Sequence, residues 1–470
     1  MQSKPFEPAE VAALAYLGAP QIIFFATFIR AEIAIPACGL IAFNVYQVCR
    51  RTSWRKARIL MSSGSIVSLL VASAWLCWVH GGGSLHQNSD WVKHYAVLNF
   101  LVQNPWPPKT LGDAGMVVLR YYVGWYLIPA LVLKLGWVAS QQAALITWSL
   151  IGVWIFLSLL RSLIFIKPSE ASIGIVLISV VAFAMFGGAD FLGAILVKPN
   201  MQDGHPLEWW SGWIQYSGNT ASISWVPQHA ISAWLGSALV MRNRDGGYNL
   251  PFIAFTISAV LLWSPFAALG LLPFVCRVAC GRRGRQPLFE WQSVACCLLL
   301  GLPTFLYLIS GSSSIPHGFI YANPCTFGLP CFTLSSYLIF VLIEFSFPAA
   351  ILILRRVEED DFLKIAIVSL LLIPLYKVGL LNDFAMRTSL PAITVLAILS
   401  IKVLINGPLR YSLACLSLFL IATPEVYDEL SIPVLSRVNA SEISTFADSF
   451  TSEPEVLAQY FAAYPLLLLR

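Results

Sequence analysis

Asp90, Lys93 and His94 lie in the stretch SDWVKHYAVLNFLVQNPWPP, Ser89 to Pro108, directly after an apolar run from Ile66 to Val79. They are a carboxylate that can accept a proton, an ammonium that can neutralise an anion and an imidazole that can do either. Offsets of three and four residues place them on one face of a helix. Charge beside an apolar span is costly and is ordinarily kept there for a purpose. The plain alternative is a surface helix whose charges only hold it at the water–lipid boundary.

A second group falls in NMQDGHPLEWWSGWIQYSGNTASISWVPQH, where Asp203, His205, Glu208 and His229 are interleaved with Trp209, Trp210 and Trp213. An interfacial aromatic belt would explain the indoles. Polar groups spaced among them suit a cleft for a sugar ring or a lipid headgroup. A third group is LLNDFAMRTSLPA, where Asp383 and Arg387 stand four apart. A local ion pair accounts for that spacing, and an Arg held at the mouth of a helical bundle also suits a phosphate. Glu344 falls within an apolar run and could pair with Lys377. The six histidines follow no metal-binding spacing, so no metal site is expected. Cys325 and Cys331 flank TFGLP, and either a small disulfide loop or two free thiols fits them. The other cysteines sit in or beside apolar runs as packing residues.

These groups must be positioned by membrane helices. Over 470 residues the chain is 58% hydrophobic and 11% charged, with mean hydropathy +0.74. Apolar runs of span length recur throughout, which predicts an all-α, polytopic membrane protein and leaves no basis for nucleic-acid binding. No cleavable signal peptide is expected at the N-terminus. Most of the 29 Lys and Arg residues cluster, at Arg50–Arg58, Arg161–Lys167, Arg242–Arg244, Arg277–Arg285, Arg355–Lys364 and Lys402–Arg410. Assigning these clusters to the cytoplasm puts Asp90 outside. The run from 117 to 135, with Arg120 in its first turn, must then be an interfacial or re-entrant helix on the outer side. About thirteen spans follow, at 11–29, 32–49, 59–80, 139–160, 171–187, 229–241, 250–263, 266–280, 288–310, 335–354, 362–380, 389–405 and 409–423. The N-terminal hairpin and basic loop occupy 1–58 and the membrane core 59–423. Outer loops cover 81–138, 188–228 and 311–334, and an acidic extracytoplasmic tail covers 424–470.

The segments SDWVKHYAVLNFLVQNPWP, LRYYVGWYLIPALVLKLGW, GHPLEWWSGWIQYSGNTASISWVPQHA and NDFAMRTSLPA resemble bacterial multi-spanning proteins of glycosyltransferase type. These are similar in layout to the GT-C superfamily, which includes protein O-mannosyltransferases and aminoarabinose lipid A transferases. The resemblance covers roughly 80–425. It implies a polyprenyl-phosphate-linked sugar as donor, an outer-face active site, an acidic residue in the first large outer loop and interfacial helices after it. Asp90 matches the acidic position. The chain departs from the pattern in having a single Asp where many members have paired acids, and in the hairpin before the usual first span.

On that reading Asp90 is the catalytic base of an inverting glycosyltransferase, and Lys93, His94, Arg120 and Arg387 bind the donor phosphate. His205, Glu208, Trp209, Trp210, Trp213, His229 and Asp383 line the substrate cleft. The expected partners are the lipid-linked sugar, membrane lipid and envelope-glycan assembly proteins. No cofactor is required, with a divalent cation left open. The expected location is the bacterial inner membrane. Polymerase or ligase action on a surface polysaccharide is the alternative. A transporter fits less well, because most charge lies at the outer rim rather than the midplane.

Overall fold

Serine and threonine punctuation sets where the apolar runs become helices. The Ser62, Ser140, Ser172 and Thr333 side chains accept hydrogen bonds from the backbone N–H of Ser65, Ala143, Ile175 and Ser336, capping the helices that follow. The computed structural model describes residues 5–54, 62–82, 85–112, 115–165, 171–197, 207–212, 214–242, 250–280, 290–312, 315–322, 332–357, 360–379, 382–435, 459–463 and 468–470.

The first helices are α1 (Pro8–Phe28), α2 (Ala31–Arg50), α3 (Ser63–Val79), α4 (Asp90–Gln103), α5 (Gly124–Lys134), α6 (Gln141–Ile164), α7 (Ile173–Ala184) and α8 (Asp190–Val197). A 3-10 turn, Leu207–Ser211, precedes α9 (Asn219–Trp225), α10 (Pro227–Arg242), α11 (Leu250–Trp263) and α12 (Pro265–Cys280). Then come α13 (Trp291–Ile309) and α14 (Leu334–Arg355), each widened by a π-helical turn in its middle. The chain continues through α15 (Asp360–Leu372), α16 (Asp383–Thr388), α17 (Leu390–Asn406), α18 (Leu409–Ile421) and α19 (Thr423–Leu435). Two small sheets complete it. β1 (Lys109–Gly112), β2 (Gly115–Leu119) and β5 (Phe461–Ala463) pair antiparallel in that order, and β3 (His317–Phe319) pairs with β4 (Tyr376–Val378).

The protein is mostly helical, with seven helices among the described residues long and apolar enough to cross a membrane and five shorter apolar ones. Each of the thirteen expected segments carries a helix, but seven rather than thirteen meet that length and composition on their own. Exposed Leu70, Leu354, Leu372, Leu413 and Leu420 stand on helix surfaces while Trp91, Trp125, Trp234 and Trp263 fill the interior. An apolar exterior of this kind suits a multi-pass membrane protein.

Side-chain contacts define two ends. At one, Arg242 is paired with Glu7 at 3.2 Å and Glu10 at 3.1 Å, Ser162 donates to Glu7 at 2.8 Å, Arg161 donates to Ser62 at 3.1 Å and Asn406 to the Ile164 carbonyl at 3.1 Å. At the other, Gln142 bonds the Gly81 carbonyl at 2.5 Å and Asn88 bonds Ser224. The end of α3 and the start of α6 therefore meet at one end, so the stretch holding α4, β1, β2 and α5 returns to the end from which it leaves. The 117–135 segment belongs to this stretch. Its form differs from the single helix expected, because β2 takes 115–119 and only Gly124–Lys134 is helical. The Val-Val-Leu run finds strand partners in β1 and β5, which no local propensity announces. Likewise the 362–380 segment ends as a helix at Leu372, near Pro374, and finishes as β4. The chain beyond 423 is helical to Leu435, and its last described residues return to pair with β2 and with Ile29.

Candidate functional site

The start of α4 is clamped before any charge is considered. Asn88 donates to the Ser224 carbonyl at 2.9 Å and accepts from the Asp90 N–H at 3.0 Å, while the Trp91 indole donates to the same Ser224 carbonyl at 3.1 Å. These bonds tie α4 to the end of α9 and fix which side chains face outward. Trp91 and His94 turn into the core, where His94 meets the Trp125 ring at 5.4 Å. Asp90 and Lys93 form a close ion pair, with side chains 26% and 18% exposed.

His94 is fully buried and bonded at both nitrogens, with Nε2 2.9 Å from the Trp225 carbonyl and Nδ1 2.7 Å from the Tyr126 hydroxyl. A carbonyl only accepts, so Nε2 carries the proton and Nδ1 accepts from Tyr126. Burial first, and Lys93 second, pull the imidazole down to about 3. His94 is therefore a neutral link between α4, α5 and α9, not a cation for phosphate.

Arg387 arrives from the far end of the chain. Asn382, at φ 56°, lies in the left-handed region and caps α16 through its side chain. Asp383 and Arg387 consequently stand one turn apart and pair at 2.7 Å, so the local ion pair is present. It is not the whole story, since Arg387 also donates to the Tyr122 hydroxyl at 2.8 Å. The Tyr122 ring lies 3.8 Å from that of Tyr121 and 4.6 Å from that of His229. Burial alone would raise the Asp90 carboxyl, but Lys93, with Arg387 adding to it, holds Asp90 below the usual carboxylate range. His229 donates to or accepts from Ser264 at 2.6 Å through Nδ1, and its buried Nε2 has no hydrogen-bond partner among the described residues.

Asp90, Lys93, His94, His229, Asp383 and Arg387 thus come together with Tyr121, Tyr122 and Tyr126. The C-terminal segment joins them: the Tyr460 ring stacks 4.8 Å from Tyr121, and the Tyr460 carbonyl accepts from the Arg120 N–H at 2.7 Å. The Arg120 guanidinium instead points to the Leu308 carbonyl, 3.2 Å away.

The remaining expected residues go elsewhere. Glu208 and Trp210 are buried, at 4% and 1% exposure, in a separate group of carboxylates. Trp209 is half-buried beside them. Glu344 does not pair with Lys377; it accepts from the Trp210 indole at 3.1 Å and faces Asp190. His205, Trp213, Cys325 and Cys331 lie outside the described residues. Among the described residues no group of three or more His, Cys, Asp or Glu is placed to hold a metal ion.

Sequence reasoning missed the tyrosines as site residues, because RYYVGWY reads as an interfacial belt until Arg387 is set against Tyr122. Tyr460 carried no signal at all. Comparison with protein-family models, curated proteins and solved structures finds no match to this chain.

Proposed function

We propose that this protein is a membrane glycosyltransferase that moves a sugar from a polyprenyl-phosphate donor to an acceptor hydroxyl at the end of the bundle holding Asp90. The observation that carries the reading is the meeting of one partly exposed carboxylate, Asp90, with Lys93 and Arg387, drawn from α4 and α16. In the transfer, the acceptor oxygen attacks the anomeric carbon as its proton passes to Asp90. The bond from that carbon to the phosphate oxygen breaks, and the phosphate leaves with the electron pair. Negative charge then grows on the phosphate in a poorly solvated mouth, where fixed cations and hydroxyls favour it most. Lys93 and Arg387 supply the cations and Tyr122 a hydroxyl.

The paired state of Asp90 fits such a cycle. A donor phosphate draws Lys93 away and leaves the carboxylate free to take the acceptor's proton. His94 and Tyr126 position α4 against α5, and the apolar helices admit the polyprenyl chain. About thirteen crossings, with Asp90 outside the bacterial inner membrane, complete this reading, and the products belong to envelope glycans or glycolipids.

Purified protein in lipid nanodiscs, given synthetic polyprenyl-phosphate sugars, tests it. Wild type should bind the lipid phosphate and consume at least one donor, and Asp90→Asn should bind without consuming. Equal binding of uncharged polyprenol and polyprenyl phosphate would sink the reading.

A further inference from the structure

Four carboxylates from four separate elements meet inside the protein: Asp190 at the start of α8, Glu208 in the 3-10 turn, Glu344 in the π-turn of α14 and Glu425 in the first turn of α19. They are 1%, 4%, 6% and 2% exposed. Asp190 and Glu344 both accept from the Trp210 indole and both crowd Gly188, Glu425 crowds Gly187 and Gly218, and Glu208 accepts from the Gly218 N–H. These shared neighbours order them as a row: Glu344 and Asp190, then Glu425, then Glu208.

Donors serve only part of it. The Trp210 indole N–H is shared between Asp190 Oδ1 at 2.8 Å and Glu344 Oε1 at 3.1 Å. Glu208 accepts from the Gly218 N–H at 2.9 Å and from the Gln215 amide. The second oxygens, Asp190 Oδ2, Glu344 Oε2 and Glu425 Oε2, are buried with no donor among the described residues.

Two independent features show that the site is built. Glycines occupy the backbone positions that the carboxylates press against: a Cβ on Gly187 or Gly218 would overlap Glu425, and one on Gly188 would overlap Glu344 while standing 3.2 Å from Asp190 Oδ2. A cavity bounded by Gly187, Gly188, Tyr216, Ser217 and Glu344 lies beside the row, so that Glu344, with its unpartnered oxygen, is one of its lining residues.

No described Lys, Arg or His forms an ion pair with any of the four. Among the described residues, the other titratable groups nearby do not supply positive charge. Tyr216, facing Glu344, donates to the Leu370 carbonyl at 2.6 Å, and Tyr337 beside it donates to the Leu371 carbonyl at 2.7 Å. Asp428 accepts from the Leu207 N–H at 2.9 Å, and Glu429 takes the Trp225 indole N–H at 2.9 and 3.0 Å. Facing carboxylates in a low-dielectric interior cannot all be ionised. Either protons or a cation must lie between them. With no group of three or more His, Cys, Asp or Glu among the described residues placed around a metal ion, the arrangement is a row of pairs and not a coordination sphere.

We propose that Asp190, Glu208, Glu344 and Glu425 are a proton-binding site, with one shared proton in each of the three carboxyl–carboxyl contacts, that fastens the 207–218 segment to α8, α14 and α19. Three protons on four carboxyls leave a single negative charge, met by Trp210, Gln215 and the Gly218 N–H. Burial, the largest influence on both, lifts Asp190 and Glu208 above the ordinary carboxylate range, in keeping with retained protons. The proposal does not rest on the transfer reaction.

Infrared spectroscopy of the wild-type protein in nanodiscs near pH 7, in H2O and D2O, tests it. The expected result is a protonated-carboxyl C=O band that shifts in D2O and weakens in Glu344→Gln and in Glu425→Gln, each measured separately. Melting temperature should fall as pH rises above the ordinary carboxylate range, and less steeply in either variant. The wild-type measurement stands even if a variant misfolds. Absence of the band at pH 7 overturns the proposal. So does a melting temperature that rises saturably with Ca2+, Mg2+ or Mn2+ and drops with a chelator, which would make the row a metal site.

Discussion

Asp90 keeps company with Lys93 and Arg387, whereas Asp190, Glu208, Glu344 and Glu425 keep company with one another. The first group is mixed in sign and its carboxylate and ammonium are partly exposed. The second is of one sign, buried and served by a few neutral donors. Cations stabilise the ionised form of Asp90, while burial favours the protonated form of Asp190 and of Glu208, at Glu208 with the like charge of Asp190 adding to it. An ionised carboxylate can accept a proton during turnover, and one that already holds a proton cannot. The two proposals follow that contrast, with transfer chemistry at the first group and fastening at the second.

Asp90→Asn presses hardest on that contrast. Donor consumption should fall by about 10²–10⁴, the usual worth of a general base, with lipid-phosphate binding and melting temperature close to wild type. Comparable activity in the variant would leave Asp90 as an anchor for α4.

Arg387→Ala comes next. A hydrogen bond to a charged group is worth roughly 1.5–3 kcal/mol, so lipid-phosphate binding should weaken roughly 10- to 150-fold. Arg387→Lys should keep part of it, since a point charge remains without the fork. If Asp383→Ala weakens binding as much, and the double variant no more than either, the pair is only a brace; titration of all three with polyprenyl phosphate decides.

His94 separates chemistry from support. With its imidazole near 3, it stays neutral across the working range, and the activity–pH profile should show no His94 step near its ordinary value. His94→Gln should cost about 1–3 kcal/mol in unfolding free energy by disturbing the bonds to Tyr126 and the Trp225 carbonyl. A pH limb that vanishes in His94→Gln would move this residue into the proton path.

The smallest effect is the contribution of Asp90 to stability. Its folded value is depressed, so the contribution is present above the ordinary carboxylate value and is lost as pH falls below it. Partial exposure screens the pair. A small difference in melting temperature between wild type and Asp90→Asn, present at neutral pH and gone in acid, should appear. The carboxyl row has the opposite dependence, so a shared sign in the two would break the comparison.

Apolar runs and their caps made the helices legible. Period and length alone mark where α1, α6, α11 and α17 begin and end, since each must bury apolar side chains and satisfy its own backbone. The spacing of Asp90, Lys93 and His94 also foretold that charge would gather at the start of α4. It did not foretell that His94 would turn inward, because the face a residue takes depends on the neighbouring element, here α5 and α9.

Everything that joins distant segments was left to tertiary structure. Arg387 finds Tyr122, Glu344 finds Asp190 where Lys377 was expected, and Tyr460 comes back over Tyr121. A sequence fixes propensities over a few turns, where 3.6-residue periodicity and capping act. Which buried carboxyl meets a cation and which meets another carboxyl follows from how packed helices bring their polar side chains together. That pairing decides the charge each group can carry, and with it which cluster can do chemistry.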